Sequence, residues 1–176
     1  MRLSILTASL LFSSFVSATE TCPDPLKLKN ICMMVGNRMP APKPHGEIVY
    51  RYQLALREAA CVAENEVPSK VSEKVRLAWQ ASENLLVCNS VQFDVMAGNL
   101  LKFAVSKKND DFIDDVIGWG VNLNRIDPSD QRTVLDYIKF HIDRNKGNEL
   151  EGKFEIYYNQ FRKAGAKHSS ELETSR

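Results

Sequence analysis

Between Asn99 and Asp127 the apolar positions fall into two short runs with helical spacing, followed by one extended run. Leu101, Phe103 and Ala104 share one face, and Phe112, Ile113, Val116 and Ile117 share a second, at separations of one, three or four residues. Gly120 stops the second run, and residues 121–126 are expected to extend into a short arm with Val121 and Leu123 turned inward. Isolated helices shorter than about 12–15 residues are marginal in water. The pattern therefore predicts a unit that stacks on similar neighbours before and after it.

Those neighbours are legible on both sides. Upstream, Leu26 to Met39 reads as one helix with Leu28, Ile31, Cys32 and Val35 on a single face, bounded by CPDP and by PAPKPHG, where Pro40, Pro42 and Pro44 make a stiff connector. From Glu47 to Ala63, Val49, Tyr52, Leu56, Ala59 and Ala60 recur at helical spacing. The segment ENEVP breaks that helix, and Ser69 is placed to cap another running to about Val87, with Val71, Val75, Ala78, Trp79, Leu85 and Leu86 inside. No sustained alternation marks a strand in this half. Downstream, Thr133 and Asp136 resemble a capping pair, and Phe154, Tyr157, Tyr158 and Phe161 form an aromatic face over the end of the stack. The final residues, HSSELETSR, read as a polar, frayed tail. The expected class is all-α.

Composition adds a compartment. The first eighteen residues carry one charge, Arg2, an apolar stretch from Leu3 to Val16, and small residues at Ser17 and Ala18. This is the pattern of a secretory signal peptide cut after Ala18; the apolar part is too short for the roughly 20 residues that span a bilayer. Cleavage leaves 158 residues, enough for one domain, with 22 basic and 22 acidic side chains. A neutral chain sets up no field that gathers nucleic acid or anionic membrane, so neither is expected as a partner. The four cysteines, Cys22, Cys32, Cys61 and Cys88, are expected to form two disulfides in an exported protein. Of the three pairings, Cys22 with Cys32 and Cys61 with Cys88 is the expectation. No C-x-x-C pair or nearby histidine suggests a metal, and none is expected. The resulting organisation is a signal peptide at 1–18, an N-terminal cap and connector at 19–46, a helical stack at 47–167 and a tail at 168–176.

Residues 99–127 also resemble one ankyrin repeat, whose pattern is T-P-L-H-x-A, a Gly-His turn, an apolar second helix and L-L-x-x-G-A-x-V-N ending in Asp. Leu101 and Ala104 match the first helix; Val116, Ile117, Gly120, Leu123, Asn124 and Asp127 match the second half. Asn99 stands for the capping Thr, Leu100 for Pro, and Lys108 with Asn109 for Gly-His; asparagine can cap, and it tolerates the left-handed conformation of a tight turn. Weaker parallels run upstream through Leu86, Val87, Ser90, Val91, Gln92, Phe93 and Asp94, and downstream through Thr133, Leu135, Gly165 and Ala166. The connection from Asp127 to Thr133 has Gln131 where glycine is usual. The resemblance implies a short ankyrin-like helical stack, with partners bound on its arms and on the exposed face of each first helix. It assigns Lys102, Ser106, Lys107, Asn122 and Arg125 to that surface.

Candidate chemistry is sparse. His45, His141 and His168 are scattered, no nucleophile carries a motif, oxidised cysteines are not thiolates, and the eight glycines follow no phosphate-binding pattern. Neither catalysis nor a cofactor is expected. The acidic group Asp110, Asp111, Asp114 and Asp115 suits a helix start, whose positive end favours carboxylates. Asp110, Asp111 and Asp114 are also candidates for a charged partner surface. Trp119 is a candidate interface anchor, or else packs on the lengthened last unit. The expected function is an exported protein-binding module, most concretely an immunity protein that neutralises a secreted antibacterial toxin or effector. Alternatives are an accessory protein for an envelope enzyme, or a small hydrolase using His141 with a carboxylate or the Asp110–Asp115 cluster.

Overall fold

Ile31, Val35, Leu56, Val75, Phe103, Val116, Ile138 and Phe161 are far apart in the sequence, yet all sit in one buried cluster. Helices α1 (Ile31–Asn37), α2 (Arg51–Ala59), α3 (Pro68–Ser82), α4 (Leu100–Ser106), α5 (Asp110–Trp119), α6 (Val134–Arg144) and α7 (Glu149–Lys163) build it, and α8 (Ser169–Glu173) follows them outside the cluster. The computed structural model describes residues 22–41, 48–88 and 99–173. The signal-peptide residues, Pro42, Pro44, His45 and the upstream parallel at Ser90 to Asp94 lie outside the described residues. Among the described residues the protein is all-α apart from one two-stranded antiparallel sheet, in which β1 (Pro40–Ala41) pairs with β2 (Val49–Tyr50), Pro40 opposite Tyr50.

The centre is α4. Leu100, Leu101, Lys102, Phe103, Ala104 and Val105 are all buried, because α4 is packed by α1, α5 and α6. Each large apolar side chain fully withdrawn from water contributes about 1.5–3 kcal/mol, which lets a helix of only seven residues persist. Its ends are closed as expected: the Asn99 side chain accepts from the Lys102 backbone N–H at 2.9 Å. The turn to α5 places Lys108, not Asn109, in the left-handed region at φ 53°. Asn109 instead caps α5, accepting from Phe112 N–H at 3.1 Å and donating to the Val35 carbonyl at 2.8 Å. Gly120 ends α5 at φ 67°. A Cβ there would meet only Arg76 Cδ at 4.0 Å, so the penalty for a side chain is conformational. Gly120→Ala is expected to cost about 1 kcal/mol, seen as a lower thermal midpoint with an unchanged helical signal.

Several boundaries differ from the sequence expectations, each for a local reason. The Leu26 to Met39 helix is divided into a 3-10 turn at Pro25–Leu28 and α1, because Asn30 turns left-handed at φ 68°. Helix α2 starts only at Arg51, since Val49 and Tyr50 are held by β1, and it ends where Cys61 takes φ 51°. Helix α3 opens with Pro68 at its first position, where the missing N–H costs no hydrogen bond; Ser69 is therefore inside the helix and not its cap. It stops at Ser82, leaving Leu85, Leu86 and Val87 outside any helix. Val121 and Leu123 point inward as expected, but the arm forms no strand and its one bridge joins Asp127 to Arg132.

The disulfides correct the expected pairing. Cys22 bonds Cys61, and Cys32 bonds Cys88, with Cα–Cα distances of 6.1 and 5.7 Å. The 3-10 turn lies against α2, and Asp24 N–H donates to the Ala59 carbonyl at 2.9 Å, which carries Cys22 to the end of α2 where Cys61 sits. Cys32, on α1, meets the segment that follows α3.

The tail also differs from expectation. His168 Nδ1 lies 2.7 Å from Asp136 Oδ1 and its Nε2 lies 2.9 Å from the Tyr158 hydroxyl, while Arg162 pairs with Glu171 at 2.6 Å. Polar anchors therefore order α8, although its composition offers no apolar face. Asp136 is the hub. Burial pushes its carboxyl up, but backbone N–H bonds from Ser169 and Thr133 and the His168 contact outweigh this and draw it down to about 2. The Thr133–Asp136 capping box starts α6 as expected.

Candidate functional site

Asp111, Asp115 and Trp119 are spaced by four residues on α5 and share one stripe of its surface. On α2, Gln53 with Arg57 and Leu54 with Glu58 have the same spacing. Both helices pack on α3, and between them opens a cleft of about 520 Å³. Val49, Leu54, Val62, Val71 and Trp119 supply apolar walls. Arg57, Glu58 and Glu64 supply charge, and Ile48, 77% exposed, stands at its edge. This is the size range of a pocket that accepts a small molecule or a few side chains of a protein.

Asp115 is the polar group on which the cleft converges. Its Oδ2 accepts from the Tyr52 hydroxyl at 2.9 Å and from Gln53 Nε2 at 2.7 Å. Burial pushes its carboxyl above the ordinary aspartate range; the bonds from Gln53 and Tyr52 oppose this, while the charges of Asp111 and Asp114 add to it. Burial and the adjoining Asp115 in turn push the Tyr52 hydroxyl well up. Trp119 is half-buried against the core and borders this cleft with α2 residues.

The remaining acidic residues divide among neighbours. Asp110 accepts from Lys153 at 2.9 Å and from the Tyr157 hydroxyl; burial raises its carboxyl, but these two bonds prevail and hold it below the ordinary range. Asp114 is exposed and reaches Gln160 Nε2 at 3.4 Å. Asp111 is exposed beside Tyr50, and its charge, with some burial, raises the Tyr50 hydroxyl. The first turns of α5 thus connect α2 on one side to α7 on the other.

No protein-family model, no curated protein and no solved structure matches this chain. The placement of each candidate residue therefore rests on its own geometry.

Lys102 requires a correction. It is 0% exposed, with Nζ 2.7 Å from Asp127 Oδ2 and 2.8 Å from Asp130 Oδ1, so it cannot meet a partner in this fold. The reason is that α4 is covered on every side instead of presenting an outer face. Arg125 is also turned inward: it donates to the Glu83 carbonyl and to Asn84 Oδ1, tying the arm to the end of α3. Ser106 donates to the Phe103 carbonyl at 2.7 Å and is half-buried, whereas Lys107 is exposed with Nζ over the Phe103 ring. Asn122 is exposed and its Oδ1 accepts from Asn124 N–H. Asn124 bonds the backbone of Gly165 and Lys167. The structure therefore sets Asp111 and Trp119 on one stripe of α5 with only Trp119 at the cleft, leaves Lys107 and Asn122 exposed elsewhere, buries Lys102, and ties the partly buried Arg125 to the end of α3.

His141 stacks on Phe154 with centroids 4.9 Å apart and meets Tyr137 edge-on at 4.5 Å, while Asp143 is held by Lys139 at 2.8 Å. Gln53 and Arg57 of the cleft carry no signal in the sequence, and Asp115 reads there only as part of the acidic helix start. Their opposition across α2 and α5 joins positions about sixty apart, which no spacing rule reveals; the signal available was the Asp111, Asp115, Trp119 stripe.

Proposed function

We propose that this chain is an exported, non-catalytic protein-binding module whose docking centre is the cleft beside Trp119. The observation that carries the reading is a half-buried tryptophan bordering an open, mixed apolar and charged cleft on a disulfide-bonded helical body. Large aromatics that are partly covered by the core yet reachable from outside are favoured interface anchors. Two disulfides suit a non-reducing compartment, and among the described residues no helix is long and apolar enough to cross a membrane. We further propose that the α4–α5 and α6–α7 pairs are ankyrin-like units of a shortened stack, in keeping with the sequence resemblance.

The concrete version is an immunity protein that binds and neutralises a secreted antibacterial toxin, acting in the periplasm if the source is a Gram-negative bacterium. It is tested by co-expressing the full chain with each toxin encoded beside its gene, the toxin being directed to the exported compartment. Protection is expected against one of them, with a complex recoverable by affinity purification. Growth arrest by every adjacent toxin, with the chain present at normal levels, overturns the immunity version. Trp119→Ala is expected to weaken the complex by about tenfold or more while leaving the fold intact.

A further inference from the structure

We propose that the cleft between α2 and α5 receives a basic side chain, an arginine above all, from the protein partner, with its alkyl stem along the apolar walls and its guanidinium at Asp115. This rests on the protein-binding reading and names the chemistry of its anchor.

Three features of the cleft converge on that guest. Its walls are apolar over Val49, Leu54 and Val62, which suits a methylene stem. The tryptophan on its border supplies an aromatic ring beside the cleft, and arginine stacks on such rings better than lysine because its guanidinium is planar and weakly hydrated. Among the described residues the charge balance is negative: Asp115, Glu58 and Glu64 line the cleft with Arg57 as the cation, and Asp111 extends the same stripe outward. Both hydrogen bonds that Asp115 receives from the described residues land on Oδ2, so Oδ1 retains its capacity to accept from a guest. An apolar guest would desolvate that partly buried carboxylate further without adding a counter-charge to its bonds from Tyr52 and Gln53, and an acidic guest would add a like charge to it.

The test uses the full mature chain and three capped amino acids, acetyl-arginine amide, acetyl-citrulline amide and acetyl-norleucine amide, titrated while backbone and indole N–H resonances are followed. Acetyl-arginine amide is expected to shift Trp119 and Asp115 saturably, and the isosteric but neutral citrulline to bind about tenfold more weakly. Asp115→Asn keeps the acceptor geometry and removes the charge; it is expected to abolish the preference for arginine over citrulline, and Trp119→Leu to weaken all binding at the cleft. Equal or tighter binding of norleucine, shifts confined to residues away from the cleft, or no saturable shift with arginine overturns the proposal. The two readings fail separately. If Asp115→Asn and Trp119→Leu chains still bind and neutralise the toxin like wild type, the arginine anchor is wrong and the protein-binding reading stands; if no toxin is bound while arginine still enters the cleft, the immunity reading is wrong.

Discussion

Replacing Lys102 by methionine is expected to destabilise the protein by about 3–5 kcal/mol, the cost of leaving buried carboxylates without their counter-ion. Methionine keeps nearly the length and volume of the side chain, so the loss isolates charge from packing. Lys102 Nζ sits between Asp127 and Asp130, 0% exposed, with the Tyr137 ring 5.4 Å away. Asp127 is only 2% exposed and also accepts from Ser129 N–H and Oγ, which fixes the turn between Asp127 and Arg132. Burial pushes the Asp127 carboxyl up, and the bonds from Lys102 and Ser129 bring it below the ordinary range; without the lysine only the Ser129 bonds oppose the burial effect. Domains of this size are stable by about 5–15 kcal/mol, so Lys102→Met removes a large share of the total. Urea unfolding checks it: the midpoint falls with an unchanged slope. Lys102→Met combined with Asp130→Asn is expected to recover part of the loss, because one of the two stranded charges is removed with it. A midpoint shift worth less than about 1 kcal/mol, the value typical of exposed ion pairs, would show that water reaches this site.

That lysine also shows where sequence reading stops. The helical periodicity of α4 and α5 identified Leu101, Phe103, Phe112 and Val116 as core, and all four are buried. Asn99, Gly120 and the Thr133–Asp136 pair mark helix ends through local chemistry, so they were legible from a few residues alone. Lys102 lies one residue from that apolar face, where a charge ordinarily faces water; what reverses its role is α6 and the Asp127 turn closing over it, which are tertiary facts. The same holds for the candidate site. Trp119 could be singled out by type, and its spacing from Asp111 and Asp115 could be counted, but the opposing wall from α2 depends on how both helices seat on α3. The order of residues 168–173 is hidden in the sequence for a related reason: it comes from the Asp136–His168 and Arg162–Glu171 contacts, which bring together residues from three helices and their connection and leave no hydrophobic pattern.

Cysteine pairing gives the second large effect, and here the structure makes a prediction that the sequence could not. A non-reducing peptide map is expected to link the fragment bearing Cys22 to that bearing Cys61, and Cys32 to Cys88. Fragments joining Cys22 to Cys32 would overturn the fold of the N-terminal segment, because they would release both its tethers to α2 and to the end of α3. The sequence separations of 39 and 56 residues correspond to about 4 kcal/mol each in the chain-entropy description. Because loop closure grows only logarithmically, the two differ by about 0.3 kcal/mol on that ground. Packing must therefore decide which bond matters more. Cys88 is 3% exposed and Cys32 packs on the core beside it, whereas Cys22 is exposed at the outer end of the 3-10 turn. Replacing Cys32 and Cys88 by alanine removes the constraint and also the sulfur atoms that fill the space between α1 and the end of α3, so the loss is expected to reach about 3–5 kcal/mol. The Cys22 and Cys61 pair, with one partner in solvent, is expected to cost about 2–3 kcal/mol. Thermal unfolding of the two double variants, each with its remaining disulfide confirmed, separates the terms: equal losses would mean that chain entropy alone sets the value, and a larger loss for the Cys32 and Cys88 pair would assign the difference to packing around α1.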